Sequence, residues 1–475
     1  MSRLNSRIVK LTGLFGGMQT IGILCSVVRA KLVAVWIGGA GLGLFALFNS
    51  ALELIYALSQ LGIRQSAVRD MAAASDSQIP RIVWTIRRWS LALGFAGAML
   101  TLLFSRWLSV FSFGDTSWWW AFACLSLIVF LSAVNQGEGA IFQGLRRFRK
   151  LAVCSMLGAV GGLAVSVPMF YFWRIDSIVP SILAYGIVTW IAKGNYREAV
   201  PHPDGGMPLS ESIMLGKQFM LLGVYLTVSS VVANAVSYGF MSYLNNFDGT
   251  DTTGYYSAGF TLVNRYVGIV FTALSMEYFP RLSGVVRSAW RTGVFVSNQI
   301  YLSLAVLVPV VIVFIAFSPS IVRILYDGDF LVMLPFTIWA MAGTVLRAVS
   351  WCMSFVILAR GDGRIYLATE VISGIVSLTL NIIGFNLWGF AGLGYAYVGW
   401  YALYTLLIGF VYYRRYALRS DRELPFFVGY SMLMAVGASL TATIWSCIAV
   451  VPLAVVASVV SARLLRRKLR KVQGA

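Results

Sequence analysis

Long apolar segments recur along the whole chain, and they restrict its fold more than any other feature. Two examples, Ile300 to Phe317 and Phe426 to Trp445, each reach the length of about 18 residues that a helix needs to cross the hydrocarbon core of a bilayer. A backbone inside lipid must satisfy its own hydrogen bonds, and a helix does so within one segment. The recurrence therefore predicts an all-α, polytopic membrane protein with about fourteen transmembrane helices.

The composition agrees with a protein that lies mostly within a membrane. Of the 475 residues, 59% are hydrophobic and 12% are charged, whereas soluble domains carry charge on about a quarter of their residues. The five cysteines lie within apolar segments, and His202 is the only histidine. We therefore expect no disulfide framework, no metal site and no cofactor. No set of catalytic groups can be assembled around a single histidine.

The predicted spans begin with a first helix that runs past Arg29 without the cleavage site that ends a signal peptide. The last two spans form a hairpin around Trp445 to Ala449, in preference to one long tilted helix. In full, the spans cover roughly residues 9–36, 42–63, 87–105, 118–143, 151–173, 176–193, 214–245, 253–279, 294–317, 334–358, 365–386, 389–413, 425–445 and 448–463.

The positions of the basic residues predict how the helices are oriented. The formal charge of +19 alone would also fit a nucleic-acid-binding protein, so position has to decide. If both termini are cytoplasmic, 30 of the 37 Lys and Arg residues lie on the cytoplasmic side, and the opposite loops hold Arg106, Arg174 and Arg323. The charge therefore indicates a multi-pass protein of the inner (plasma) membrane with both termini in the cytoplasm, and not a nucleic-acid partner.

A faint internal repeat predicts two lobes of six helices. Gly43-Leu-Phe-Ala at the start of helix 2 resembles Gly254-Tyr-Tyr-Ser at the start of helix 8. The polar stretch between the two sets of helices contains Pro201, Pro203 and Pro208, which is typical of a linker. The predicted organisation is an N-lobe at residues 1–198 (helices 1–6), a cytoplasmic linker at 199–213, a C-lobe at 214–420 (helices 7–12), and helices 13 and 14 with a basic tail at 421–475.

Ionisable side chains inside the spans are the strongest pointers to a functional site. Each costs about 2.5 to 3.5 kcal/mol at a helix centre, so such groups normally face a partner or a wet cavity. Two of the cations lie about ten residues from either end of their spans, too far to reach the headgroups easily. As a set, the four cations would attract phosphate or pyrophosphate: they are Arg29, Lys31, Arg265 and Arg347, of which the last two are the central pair.

Acidic and amide side chains in the spans have more than one interpretation. Glu53 and Glu138 are candidates for ion coupling or for pairing with cations in a cavity. In the structural alternative, Glu53 simply pairs with Arg29 or Lys31 inside the bundle. Four amides are candidate sugar contacts, although each could equally join helices: Asn49, Asn135, Asn234 and Asn264.

Several short motifs resemble those of one membrane-transport family. They are Lys31-Leu-Val-Ala-Val-Trp-Ile-Gly-Gly-Ala-Gly-Leu-Gly-Leu-Phe45, then Leu61-Gly-Ile, Glu277-Tyr-Phe-Pro-Arg-Leu-Ser283 and Leu358-Ala-Arg-Gly-Asp-Gly-Arg364. In this order they resemble the Wzx-type oligosaccharide flippases, of the O-antigen or enterobacterial-common-antigen type. These flippases belong to the multidrug/oligosaccharidyl-lipid/polysaccharide exporter (MOP) superfamily. The resemblance extends to about residue 420.

The resemblance implies a transporter and not an enzyme. Such a flippase moves undecaprenyl-pyrophosphate-linked oligosaccharide to the periplasmic leaflet by alternating access of two six-helix lobes in a V-shaped bundle, for assembly of surface polysaccharide such as lipopolysaccharide. The cationic central cavity of the family would here be formed by Arg29, Lys31, Arg265 and Arg347. The implied partners are the lipid-linked glycan, the bilayer, and a polysaccharide polymerase with its chain-length regulator. We expect a monomer without a cofactor, in which helices 13 and 14 exceed the twelve-helix plan.

Three other functions stay open at this point. A drug or cation antiporter of the same superfamily would use acidic cavity residues such as Glu53 and Glu138. A membrane-embedded glycan polymerase, ligase or glycosyltransferase would need a substantial outer loop with catalytic carboxylate or histidine groups, and the outer loops here are short. The third alternative is a scaffold that organises glycan assembly without transport.

Overall fold

A computed structural model of the chain describes residues 21–60, 68, 71, 74–75, 78–200, 209–419, 421–445, 447–454 and 456–458. Within these ranges the backbone is almost entirely helical and forms no strand. Seven helices in this part of the chain are long and apolar enough to cross a membrane. The number is eight if one pair of helices joined by a sharp bend is counted as a single span. Two of these long helices, Phe148–Gly194 and Gly363–Arg415, each contain two of the predicted spans.

The first half of the described chain contains seven helical segments. They are α1 at residues 21–36, α2 (Gly39–Gln60), α3 (Ile79–Leu103), α4 (Trp119–Gly144), α5 (Phe148–Trp173), α6 (Ile178–Gly194) and α7 (Leu209–Asp248). α3 bends by 61° into a short helix, Ser105–Phe113. A 3-10 turn at Arg174–Ser177 joins α5 to α6.

The second half contains seven more segments, α8 to α14. α8 runs from Thr250–Thr261 through a π-helical turn, Leu262–Tyr266, into Val267–Val285. The continuous stretch Gly363–Phe410 is broken at Trp388 and at Gly389, whose φ of 55° is a left-handed conformation that glycine adopts without strain. We name the parts before and after this break α11 and α12. The remaining helices are α9 (Ala289–Leu325), α10 (Leu334–Ala359), α13 (Leu424–Ile444) and α14 (Ile448–Ser458).

These fourteen segments of the described chain confirm the predicted fold class and helix number. α3 begins at Ile79 instead of residue 87, because Pro80 fits the first turn of a helix, where its missing N–H needs no partner. α13 ends at Ile444 and a 3-10 turn at Ile448–Val450 opens the next segment, so one continuous helix does not form there. Residues 9–20 of the predicted span 9–36, residues 61–63 of the span 42–63 and residues 459–463 of the span 448–463 lie outside the described residues. Linker residues 201–208 also lie outside them.

By residue contacts the chain forms two compact units, Met1–Gly254 and Tyr255–Ala475. The boundary falls within the first turns of α8, so this helix starts in one unit and continues in the other. The division into two lobes of six helices each, with a linker between them and a helix pair at the C-terminus, stays a prediction.

Small residues bring α5 and α6 close together in the first unit. A Cβ atom added at Gly158 would contact Thr189, and one added at Gly162 would overlap the ring of Tyr185. Close approach of helices at small residues is the usual way to pack a membrane bundle. The contact at Gly162 also holds the Tyr185 ring in place for the interaction with Arg29 described below.

The starts of α2 and α8 touch through their backbones. A Cβ at Gly43 would overlap the carbonyl oxygen of Thr250, and a Cβ at Gly254 would overlap the carbonyl oxygen of Gly39. Backbone atoms cannot rotate aside as a flexible side chain can, so each position has room only for glycine. The two glycines that open the repeated motifs therefore meet in a single contact.

We expect Gly43→Ala and Gly254→Ala each to destabilise the protein by about 1 to 3 kcal/mol, the usual cost of overpacking a tight contact. Thermal unfolding of the purified protein in detergent measures the effect. The matched control is Gly239→Ala in α7, because a Cβ there has nothing within 4 Å. If all three variants unfold at the wild-type temperature, the α2–α8 contact is not tight.

Candidate functional site

A polar and aromatic cluster surrounds Arg347 near the middle of α10. Its Nη1 atom donates a hydrogen bond to Oδ1 of Asn264 at 2.6 Å and another to the hydroxyl of Tyr397 at 3.3 Å. Its guanidinium carbon lies 5.2 Å from the ring centroid of Phe271 and 5.9 Å from that of Tyr401. Both distances are within the range of cation–π attraction. We call these five residues the Arg347 cluster.

The π-helical turn in α8 places Asn264 opposite Arg347. Such a turn inserts an extra residue into a helix, and single π-turns are often found at functional sites. The Asn264 side chain lies in this turn, where its Nδ2 atom donates to the carbonyl oxygen of Phe260 at 3.0 Å. This bond fixes the orientation of the amide, so Oδ1 is left to accept from Arg347.

The partners of Arg347 are neutral. Among the residues that the structure describes, none of its contacts is an ion pair with a carboxylate. The guanidinium is half-buried and stays protonated at any physiological pH. The cluster therefore presents a full positive charge within a membrane span, where an uncompensated charge is costly and an anionic ligand is favoured.

Arg265 follows Asn264 directly in the same π-helical turn. Its backbone therefore lies next to the Arg347 cluster, whereas its side chain is outside the described residues. The structure thus brings the two central cations of the predicted set onto neighbouring helices of the second unit.

The other two predicted cations lie on α1 in the first unit. The Arg29 guanidinium carbon is 3.9 Å from the ring centroid of Tyr185 in α6 and 5.9 Å from that of Phe45 in α2. Lys31 is half-buried on the same helix. Stacking on an aromatic face holds the Arg29 guanidinium in place.

The two predicted carboxylates have different surroundings. The Glu53 residue is exposed on α2, and its carbonyl oxygen accepts a hydrogen bond from Nδ2 of Asn234 at 3.3 Å. Glu138 is buried at 6% exposure near the end of α4, where its two carboxylate oxygens accept from Nε and Nη2 of Arg87 at 2.8 and 3.2 Å. Nε of Arg197 lies 3.0 Å from Oε1 of Glu138. Two guanidinium groups therefore balance the Glu138 carboxylate.

Arg87 was missed as a site residue by the sequence reasoning. The predicted third span began at this residue, which placed it at the end of its helix. In the structure Arg87 lies two turns inside α3, is 7% exposed, and also donates to the carbonyl oxygen of Glu198 at 2.8 Å. The signal that would have placed Arg87 inside the helix was Pro80, a residue typical of a helix start.

The four predicted amides are not gathered in one place. Asn49 donates to the carbonyl oxygen of Phe45 at 2.6 Å, within its own helix. The carbonyl oxygen of Asn135 accepts from Nζ of Lys193 at 3.0 Å. Asn234 and Asn264 have the partners given above. Of the four, only Asn264 contacts one of the predicted cations through its side chain, as far as the described residues show.

Metal-binding and cysteine chemistry add nothing to this site. In the described part of the chain, no three His, Cys, Asp or Glu side chains are grouped as they would be around a metal ion. All five cysteines are free thiols.

One family model matches the chain, described as polysaccharide biosynthesis protein, and the match spans residues 33–335. The chain belongs to this family. The matched region begins in α1 and ends in α10, so it includes Phe45, Tyr185 and Asn264 but ends before Arg347.

The chain is also similar in sequence to two curated proteins. A Shigella flexneri protein named "Putative O-antigen transporter" is 21% identical over 327 residues, which are 67% of this chain and 76% of that protein. The lipid III flippase of Escherichia coli (strain K12) is 22% identical over 412 residues, which are 82% of this chain and 94% of that protein.

Solved structures of transporters share the fold. The lipid II flippase MurJ in an inward closed conformation matches with a TM-score of 0.65 at 14% identity, over 97% of this chain and 99% of that chain. An inward-facing multidrug resistance MATE family transporter of the MOP superfamily also gives a TM-score of 0.65, at 13% identity, over 84% of this chain and 97% of that chain. These matches show that the chain shares the fold of these two transporters.

Proposed function

We propose that this protein is a flippase that moves an undecaprenyl-pyrophosphate-linked oligosaccharide across the bacterial inner membrane, for assembly of surface polysaccharide. Membership of the polysaccharide biosynthesis family supports this proposal, as do relatives named as an O-antigen transporter and a lipid III flippase. These relatives are transporters by name and not catalysts, which favours transport over a polymerase, a ligase or a scaffold.

The Arg347 cluster is the observation that carries the proposal. A cation within a membrane span whose described partners are all neutral attracts an anionic ligand. Pyrophosphate offers several strong acceptor oxygens, and guanidinium groups bind such oxygens through charge-assisted, paired hydrogen bonds. In this proposal Arg265, Arg29 and Lys31 extend the cationic surface, amide and aromatic side chains contact the sugars, and the prenyl chain stays in lipid.

Transport would proceed by alternating access of two six-helix lobes, with the ligand held near the midplane. Further parts of the proposal are that both termini lie in the cytoplasm, that the protein acts as a monomer, and that a polysaccharide polymerase with its chain-length regulator receives the product. The excess of basic residues at the predicted cytoplasmic side supports the orientation.

The drug or cation antiporter is less well supported by the structure. Such a transporter needs a carboxylate that can bind and release a cation. Of the two predicted candidates, Glu138 already has Arg87 and Arg197 within ion-pair distance. A carboxylate balanced by two guanidinium groups is a poor binding site for a further cation.

The proposal predicts that Asn264→Asp lowers glycan export at least about tenfold, which corresponds to about 1.4 kcal/mol. The new carboxylate would lie next to Nη1 of Arg347, which is 2.6 Å from Oδ1 of Asn264, and would neutralise the charge that the ligand needs. Surface glycan is measured in cells that lack their own flippase gene and carry the variant at wild-type protein level.

Asn246→Asp is the control, because this exposed amide undergoes the same chemical change away from the Arg347 cluster. It is expected to export glycan normally. Wild-type export by Asn264→Asp, with the protein present in normal amount, would contradict a role for this positive charge.

A further inference from the structure

A cavity of about 210 Å³ lies among α3, α4 and α6 of the first unit. Arg87, Lys193, Arg197 and Glu138 are the ionisable residues of its lining. Three cations against one carboxylate leave an excess of positive charge in a small, partly enclosed space. The cavity contains none of the residues of the Arg347 cluster, and the proposed transport step does not use it.

The cavity lining is polar at one end and apolar at the other, on every helix that forms it. In each case the charged residue is nearer the end of the helix and the apolar residue is nearer its middle. The pairs are Arg87 and Leu91 in α3, Glu138 with Val134 and Phe130 in α4, and Lys193 with Trp190 in α6. On all three helices the cavity lining therefore changes in the same direction, from cationic at the membrane interface to apolar towards the membrane interior.

The apolar end of the cavity is open to the outside of the bundle. Leu91 and Trp190 are 47% and 42% exposed, which for a membrane helix means contact with lipid. Tryptophan near a helix end is typical of the interfacial layer of a bilayer. A molecule entering from the bilayer would meet Leu91 and Trp190 first and the cations at the inner wall.

Arg197 retains hydrogen-bonding capacity for a ligand. Arg197 binds Glu138 through Nε and its side chain is 51% exposed, and a guanidinium has five N–H donors in all. Lys193 also lines the cavity, and its Nζ atom donates to the carbonyl oxygen of Asn135 at 3.0 Å. Arg87 donates to both carboxylate oxygens of Glu138, so its guanidinium is held in a fixed position in the cavity wall.

We infer that this cavity binds the phosphate group of an anionic glycerophospholipid from the surrounding bilayer. Arg197 and Lys193 contact the phosphate oxygens, and an acyl chain lies along Leu91, Phe130 and Trp190. Basic pockets between transmembrane helices are suited to lipid headgroups. The volume is below the roughly 300 to 1,000 Å³ of pockets for drug-sized ligands, so it accommodates a phosphate and glycerol but not an oligosaccharide on a pyrophosphate.

Native mass spectrometry of the full-length protein in detergent tests the inference. Phosphatidylglycerol, which is anionic, and phosphatidylcholine, which carries no net charge, are added to wild type and to a Lys193→Ala/Arg197→Ala variant. Wild type is expected to retain phosphatidylglycerol in preference to phosphatidylcholine. The double variant should bind phosphatidylglycerol about a hundredfold more weakly, because each of the two lost charge-assisted hydrogen bonds is worth about one decade in affinity.

Arg149→Ala is the matched control, because it removes an exposed cation of α5 that does not line the cavity. It should bind phosphatidylglycerol as wild type does. Equal binding of phosphatidylglycerol by wild type and double variant would overturn the inference, and so would displacement by inorganic phosphate or by undecaprenyl phosphate at equal concentration. Lipid binding is measured without transport, so this result is independent of the export by Asn264→Asp.

Discussion

Arg347→Ala is expected to reduce glycan export at least about thirtyfold, because losing a contact to a desolvated charge costs about 2 kcal/mol or more. Arg347 donates to Asn264 and Tyr397 and lies against two aromatic rings, so its guanidinium is held in place for a ligand. Arg347→Lys keeps the charge but loses the planar set of donors, and we expect export between that of wild type and Arg347→Ala.

The measurement is surface glycan in cells without their own flippase, at matched protein level. Arg287→Ala removes an exposed cation in the polar turn after α8 and should export glycan normally. Thermal unfolding of purified Arg347→Ala distinguishes a lost ligand contact from lost folding. Normal export by a stable Arg347→Ala variant would contradict the proposed binding site.

Glu138→Ala is expected to destabilise the protein by about 3 to 5 kcal/mol, because it leaves a buried arginine without its counter-ion. Arg87 and Glu138 are 7% and 6% exposed and share two hydrogen bonds, so water cannot replace the lost carboxylate easily. The expected result is a lower unfolding temperature in detergent and less folded protein in the membrane.

The double variant Arg87→Met/Glu138→Leu removes both charges but keeps most of the side-chain volume, so it distinguishes the effect of an unpaired charge from the effect of lost packing. Replacing both charges with apolar side chains of similar size is often neutral or stabilising, so this variant should regain most of the lost stability. Glu423→Ala, an exposed carboxylate outside the spans, is the control for loss of one acidic residue. If Glu138→Ala unfolds like wild type, the pair contributes little to the fold.

The helices could be predicted because the bilayer restricts them so strongly. A run of apolar residues such as Ile300 to Phe317 can satisfy its backbone in lipid only as a helix. The break at Trp388 and Gly389 lies within two residues of the predicted junction between the spans 365–386 and 389–413. Short elements at the interface were harder to predict. The segment Ser105–Phe113 was interpreted as a loop, but it forms a helix after the 61° bend, since its Trp and Phe side chains suit the interfacial layer.

For the candidate site, the cations could be identified from sequence but their partners could not. Arg347 stands out because a charge far from both ends of a span needs a reason to be there. Its bonds to Asn264 and Tyr397 join residues distant in sequence, and helical periodicity does not encode which faces meet. The pairing of Glu138 with Arg87 was missed because the start of α3 was placed too late, so Arg87 was expected at the helix end instead of two turns inside it.

The ion pair of α3 and α4 also bears on how the protein is made. Arg87 and Glu138 lie on consecutive membrane helices, so both enter the bilayer during synthesis as one hairpin, and each lowers the cost of inserting the other. Arg197 and the Glu198 carbonyl reach this pair only after α6 has been synthesised. The complete network therefore forms only when the sixth helix is in place, which ties biogenesis of the first unit to the order of its helices.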